Sequence, residues 1–340
     1  MKWPDKLLAL LWMAAVLNTF TATANGSDVV ASDAPVHDSD VRNQVEDSMD
    51  EVIVTGEWAG PQMWKISRGN HVVWMLGTLQ PLPKDMVWKY QEVEKIIAQS
   101  RQVIGKTNVK PKVSIFGIIP LYLQFRKVSK LPDDQTLKDV LPAELYLRYQ
   151  ALLTTNKVRD SDIERLRPIV AAGRLYQDII EANGLTGKND VQETVFKLAD
   201  RHDVKVNDLT LKVEAPKEIL KEASQLPVSA EIPCLEDVVA SLEEDLPMLK
   251  KRASSWARGD VNALRKLMSE KTRTACREII LSMDRVKAVS DNAKAVWFNA
   301  ITESLDRYDS AMALSPVYEL IGKDGILDQL RAAGYQVEGP

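Results

Sequence analysis

The strand-forming run at residues 71–76 constrains the fold of this chain more than any other feature. Its apolar residues predict a β-strand, which ends at Gly77 and Thr78. Residues 62–67 predict a second strand, and the glycine-containing polar segment 68–70 between the two strands is typical of a turn. The sequence therefore predicts a hairpin at the start of the folded body.

Helical periodicity dominates the chain after residue 136. Prolines at helix starts and glycines after helix ends mark a series of helices there, and an earlier helix is expected over 84–100. One amphipathic stripe covers 235–256, where Pro247 is expected to kink the helix or restart it. Further short strands are expected at 102–104, 204–206, 209–213 and 335–338. The pattern indicates a helix-rich α+β fold.

The N-terminus carries an export pattern. Two lysines precede an apolar core at 7–17 that is too short to span a membrane, and Ala-Thr-Ala at 22–24 is a small-x-small cleavage pattern. We expect residues 1–24 to be a signal peptide cleaved after Ala24. A periplasmic or secreted protein follows from this expectation.

Composition divides the remaining chain into two parts. Residues 25–50 are rich in Asp and lack periodicity, which predicts a disordered acidic linker, and residues 51–340 are expected to form the folded domain. A net charge of −4 argues against nucleic acid as a partner. No span of the mature chain is expected to cross a membrane. The most apolar stretch, 115–125, is interrupted by Pro120 and is interpreted as a buried helix, a lid or a membrane-facing patch.

Only two cysteines occur, Cys234 and Cys276, and both lie in predicted helices. An isolated pair in an oxidising compartment can form a disulfide. In the chain-entropy model, closing that loop would stabilise the fold by roughly 4 kcal/mol. Two separate buried thiols are the alternative.

Several short motifs, taken in order, resemble one family. They are Met63-Trp64, Leu76-Gly77-Thr78, Pro81-Leu82-Pro83, Thr136-Leu137-Lys138-Asp139, Trp256-Ala257-Arg258-Gly259-Asp260 and Gly334-Tyr335-Gln336-Val337. Together with the export pattern, they make the chain similar to the TraB/GumN family, which is related to the Tiki proteases and the pheromone-shutdown proteins. The resemblance implies a central mixed sheet that is built from two halves of the chain and flanked by helices.

The resemblance also implies where a metal site would lie. The family has two Gly-x-x-His motifs and a glutamate after the second core strand, a set suited to a divalent metal with an open position for water. Here Gly77 begins the first motif, and the three ligand positions hold Gln80, Glu319 and Gly105. All three ligands are altered, so we expect neither a metal nor a cofactor. Gln80 and Glu319 could alternatively bind Ca²⁺ or Mg²⁺ with other oxygens, or hydrogen-bond to each other.

Other candidate residues give weaker signals. The chain has three histidines, at positions 37, 71 and 202, and no pair of them has metal-ligand spacing. Sequence motifs of serine hydrolases, P-loops and zinc proteases are absent. Trp64, Trp74 and Trp88 either line a pocket near the altered site or pack in the core.

These observations favour one function over two others. We expect an exported pseudoenzyme that binds a peptide, glycan or protein in the relic cleft without catalysis. The first alternative is an envelope hydrolase, a metal-dependent peptidase-like enzyme with an altered site around Gln80 and Glu319. The second is a structural interaction protein of the cell envelope.

Overall fold

A computed structural model describes residues 60–159, 162–188, 190–268, 274–322 and 325–340. The predicted signal peptide and acidic linker lie outside the described residues. Elements are numbered below in chain order.

A six-stranded mixed sheet forms the centre of the molecule. Its strands are β1 (Met63–Arg68), β2 (His71–Thr78), β4 (Gln102–Ile104), β7 (Lys205–Asn207), β9 (Ser310–Pro316) and β10 (Gln336–Glu338). The order across the sheet is β10-β1-β2-β9-β4-β7. β1 pairs antiparallel with β2 and β10, whereas β2, β9, β4 and β7 run parallel. The predicted hairpin is confirmed, and the sheet combines strands from both ends of the body, as the family resemblance implied.

Helices flank this sheet and form a second layer beside it. They are α1 (Gln91–Gln99), α2 (Ile115–Val128), α3 (Leu137–Val140), α4 (Ala143–Thr155), α5 (Pro168–Ala182), α6 (Asp190–Arg201), α7 (Pro216–Gln225), α8 (Val228–Ala257), α9 (Val261–Met268), α10 (Ala275–Leu281), α11 (Asp284–Arg307), α12 (Val317–Ile321) and α13 (Ile326–Ala332). A short 3-10 helix covers Ile163–Arg165. Two strand pairs lie outside the sheet: β3 (Leu82–Pro83) with β6 (Leu185–Thr186), and β5 (Asn108–Pro111) with β8 (Thr210–Val213). The expected helix-rich α+β class is confirmed.

The long helix α8 connects two apolar cores. Its N-terminal half, around Leu235 and Val239, is buried against α4 and α5 in an all-helical core. Its C-terminal end, at Ala253 and Trp256, is buried in the core that covers the sheet. The helix continues through Pro247 without a restart. Burial of one face along its whole length outweighs the hydrogen bond that the proline removes.

A disulfide ties α8 to α10. Cys234 and Cys276 are joined, and both residues are buried in the helical core. This agrees with the sequence-based expectation of a bridge. The connection fixes the short helix α10 against α8.

Two local expectations were wrong. The helix expected over 84–100 begins only at Gln91, because the chain leaves the short strand β3 at Pro83 in an irregular segment that buries Trp88 in the core. The central strand β9 was missed, because both of its faces are buried and the apolar–polar alternation of an exposed strand is therefore absent.

Helix α2 lies at the surface. Leu121 and Phe125 are buried against α7, but Ile115, Phe116 and Ile119 are exposed. The interpretation of this segment as a buried helix is therefore wrong. Within the described part of the chain, no helix combines the length and the apolar character needed to cross a membrane.

Candidate functional site

The carboxyl ends of four strands share one edge of the sheet. β2, β9, β4 and β7 are parallel, so the residues that follow them emerge on the same side. In open sheets with parallel strands, ligands bind in the crevice outside these strand ends. Gln80 follows β2, Gly105 follows β4, and Glu319 follows β9. The fold therefore brings the three positions at which the family resemblance implied ligands to one edge of the sheet.

Gly77 is required by the packing of α12. A Cβ atom at this position would lie 2.9 Å from Val317 Cγ2 and 3.3 Å from Leu320 Cδ1. The Gly77 carbonyl also accepts a 2.7 Å hydrogen bond from Trp256 Nε1. The absence of a side chain at position 77 therefore lets α12 pack closely against the end of β2, where the C-terminal end of α8 also makes contact.

An aromatic ring fills the space over Gly105. A Cβ atom there would lie 2.8 Å from Phe196 Cζ, on α6. A glutamate at this position would displace the ring. The space over Gly105 is thus filled by a side chain of α6.

Lys106, the residue that follows Gly105, was not among the predicted site residues. Its side chain is partly buried at the strand-end edge, and its backbone N–H donates to Gln192 Oε1 at 3.4 Å. Burial lowers the pKa of Lys106 to about 8, although the nearby carboxylate of Glu319 raises it. A lysine directly after a buried strand is the signal that could have identified it.

Hydrogen bonds orient the carboxylate of Glu319. Ser315 Oγ donates to Glu319 Oε2 at 3.4 Å, one helical turn earlier in the chain. Thr78 Oγ1 donates in turn to the Ser315 carbonyl at 3.2 Å, across the β2–β9 pair. Both hydroxyl residues are buried, whereas Glu319 is partly exposed. Buried groups thus support a carboxylate that solvent can reach.

The side chains at this edge do not fit the divalent metal that the family resemblance implies. Gly105 has no side chain that could act as a ligand, and the remaining carboxylate, Glu319, interacts electrostatically with the ammonium group of Lys106. A cation bound at Glu319 would meet electrostatic repulsion from that ammonium group. Within the described ranges, no three His, Cys, Asp or Glu residues form a group suited to a metal ion.

The three candidate tryptophans do not share one pocket. Trp64 and Trp74 project from opposite faces of the hairpin, since Trp64 pairs with Met75 and Trp74 pairs with Lys65. Trp64 lines a cavity of about 10 Å³ beside Gly77 and Trp256, which has room for about one water molecule. Trp88 packs edge-on against Trp256, with ring centroids 5.6 Å apart.

Two of the histidines lie away from the strand-end edge. The ring of His71, at the start of β2, contacts the Leu305 carbonyl through Nδ1 at 2.7 Å. The ring of His202 contacts the Glu94 carboxylate through Nε2 at 3.0 Å. His37 lies outside the described residues.

Comparison with known proteins identifies the family. Neither a curated protein nor a solved structure shows significant similarity to this chain. The model of the TraB/PrgY/gumN family matches residues 62–339, which include every strand of the central sheet and the strand-end edge. The chain therefore belongs to the TraB/PrgY/gumN family.

Proposed function

We propose that this chain is an exported, non-catalytic member of its family that binds a short peptide or glycan segment at the strand-end edge. The observation that carries the proposal is the placement of Lys106 and Glu319 after the adjacent parallel strands β4 and β9, where the charges of the two side chains interact. A positive charge from the chain itself stands near the acid that would otherwise attract a divalent cation. The edge then presents polar groups for recognition rather than a metal for hydrolysis.

The chemistry of these groups favours a polar ligand. Lys106 carries three donors, Glu319 accepts hydrogen bonds, and the Gln80 amide does both. All three residues are partly exposed. Such a set complements backbone amides of an extended peptide or the hydroxyls of a sugar. The ligand would lie across the outside of the edge, since the cavity beneath α12 has room for about one water molecule.

Export is supported by two observations. The first residues have the charged start, apolar core and cleavage pattern of a signal peptide. The Cys234–Cys276 disulfide is typical of proteins in oxidising compartments. Mass spectrometry of the chain recovered from the cell envelope or medium is expected to give Asn25 as the first residue. An intact Met1 would contradict processing.

One observation favours the envelope hydrolase as a second candidate. With a pKa of about 8, Lys106 is neutral in about one molecule in ten near pH 7. A neutral lysine can act as a general base or a nucleophile. The two candidates differ in whether Lys106 holds a ligand or takes part in bond cleavage.

The test compares Lys106→Met with Lys205→Met in the full chain. Lys205 is exposed at the opposite, amino-terminal end of β7, so its replacement serves as the matched control. The probes are a random hexapeptide mixture and a chitooligosaccharide mixture, followed by mass spectrometry for retention and for cleavage. Metal content is measured after equilibration with Zn²⁺ and dialysis.

We expect retention of uncleaved probe by the wild type and by Lys205→Met, reduced retention by Lys106→Met, and less than stoichiometric zinc. Cleavage that disappears in Lys106→Met would favour the hydrolase instead. One zinc ion per chain that is lost in Glu319→Gln would contradict the proposal that this edge does not bind a metal.

A further inference from the structure

Helix α2 presents an unusual surface. Ile115 is 82% exposed, Phe116 90%, Ile119 67% and Leu123 57%. At 100° per residue, these side chains and the exposed Pro120 fall within a sector of about 140°. The opposite side of the helix, with Leu121 and Phe125, is buried against α7. The exposed apolar face is therefore a continuous stripe along the first two and a half turns, which we call the α2 stripe.

Basic residues lie next to the α2 stripe. Arg126 and Lys127 are exposed in the last turn of α2 and fall in the same sector as the stripe. Residues 108–131 contain five basic side chains and no acidic one, although the whole chain has a net charge of −4. This segment of the chain thus carries an excess of positive charge, although Lys112 is paired with Glu214 at 2.7 Å.

The strand pair before α2 adds to this charge. Lys110 on β5 is the register partner of Lys212 on β8, so the two side chains lie on the same face at adjacent positions. Both residues are exposed. Like charges that face each other across a strand pair repel. An anionic partner would relieve this repulsion.

The geometry points to docking of the α2 stripe on an anionic phospholipid surface, and we propose that the chain binds membranes peripherally in this way. Amphipathic helices lie in the interface with their apolar face buried about 5–10 Å into the headgroup region. Ile115 and Arg126 are separated by about 16 Å along the helix axis. The apolar turns would enter the interface while Arg126 and Lys127, in the last turn of the same helix, contact lipid phosphates.

The stripe favours a lipid surface over a specific protein groove for a physical reason. Its bulky side chains, two of them β-branched, form a convex ridge on a single helix. Ser114 caps the start of this helix by accepting a hydrogen bond from the Gly117 N–H. A convex apolar ridge with a basic border matches a bilayer surface, which is deformable and has anionic headgroups above its apolar acyl chains.

The test measures cosedimentation of the full chain with two kinds of vesicle, pure phosphatidylcholine and a mixture of phosphatidylcholine with phosphatidylglycerol. Phe116→Ser/Ile119→Ser removes the centre of the stripe. Arg126→Gln/Lys127→Gln removes its basic border. Each variant is measured with and without residues 1–24, because the apolar segment at 7–17 could bind vesicles by itself. Circular dichroism verifies that each variant is folded.

Two control variants match these changes. Leu147→Ser replaces a 68% exposed leucine on α4, away from the stripe. Lys197→Gln/Lys205→Gln removes two exposed charges elsewhere on the surface. Both controls are expected to bind as the wild type does.

We expect the wild type to partition at least tenfold better onto the anionic vesicles. The apolar double variant should lose at least tenfold of this binding at any salt concentration, whereas the basic double variant should lose the preference for anionic lipid. Equal binding by all variants, or no binding by the wild type, would overturn the proposal. A dimer in sedimentation equilibrium that disappears in Phe116→Ser/Ile119→Ser would instead assign the stripe to a second copy of the chain.

Discussion

Replacing Lys106 by methionine tests the electrostatics of the strand-end edge most directly. The pKa of Lys106 is lowered from 10.5 to about 8, because burial penalises the charged form more than Glu319 stabilises it. In the unfolded chain the same group regains its ordinary pKa. The folded state therefore binds this proton more weakly than the unfolded state does.

The sign of the pH dependence follows from this difference. Below about pH 8 the side chain is protonated in both states, and the folded state bears the full cost of the buried charge. Between about pH 8 and pH 10.5 the unfolded state binds more protons, so the free energy of unfolding rises with pH. Above pH 10.5 the side chain is neutral in both states and the contribution disappears.

The magnitude comes from the size of the pKa change. A decrease from 10.5 to about 8 corresponds to about 3 kcal/mol at neutral pH. Solvent that reaches this partly buried group reduces the cost, so we expect about 1–3 kcal/mol. Methionine has a similar length and no charge to bury, so Lys106→Met should be more stable than the wild type near pH 7.

Urea unfolding measures the effect at several pH values. The stability advantage of Lys106→Met should decrease as the pH rises from about 8 and should vanish near pH 10.5. The free energy of unfolding of Lys205→Met should depend on pH as that of the wild type does. Glu319→Gln should lower the pKa of Lys106 further, so the free energy of unfolding should begin to rise at a lower pH. A constant difference between wild type and Lys106→Met across the pH range would refute the reasoning.

Two further predictions concern packing and a buried ion pair. Gly77→Ala should destabilise the fold by about 1–3 kcal/mol, because the added methyl group would overlap α12. Gly117→Ala is the control: it lies in a helix and its Cβ would make only ordinary contacts, so this variant should be as stable as the wild type or slightly more stable. Thermal unfolding of the two variants checks this contrast, and equal losses would contradict it. Arg167→Met should cost about 3–5 kcal/mol, because Glu231 is left buried without its charged partner; Arg148→Met, which breaks a half-exposed pair, should cost about 1 kcal/mol or less. Denaturant titration separates the two, and similar costs would show that burial does not control these pairs.

Sequence patterns predicted the local elements of this fold well. The hairpin of β1 and β2 follows from alternating apolar residues and a glycine turn, and the helices that begin at Pro168 and Pro216 start at the prolines, as expected. Family motifs correctly indicated that strands from both ends of the body join one sheet. These features depend on spacing within short segments, which the sequence displays directly.

Relations between distant segments could be settled only by the tertiary structure. β9 could be identified only from its pairing in the sheet, because burial of both its faces removes the apolar–polar alternation that marks an exposed strand in the sequence. The ring of Phe196 lies over Gly105, and the charges of Lys106 and Glu319 interact, although about 90 and 213 residues separate these pairs in the chain. Likewise, an apolar helix is buried or exposed according to what packs against it, which periodicity alone does not specify for α2. Local spacing determined the elements, whereas burial and electrostatic partners depended on how those elements came together.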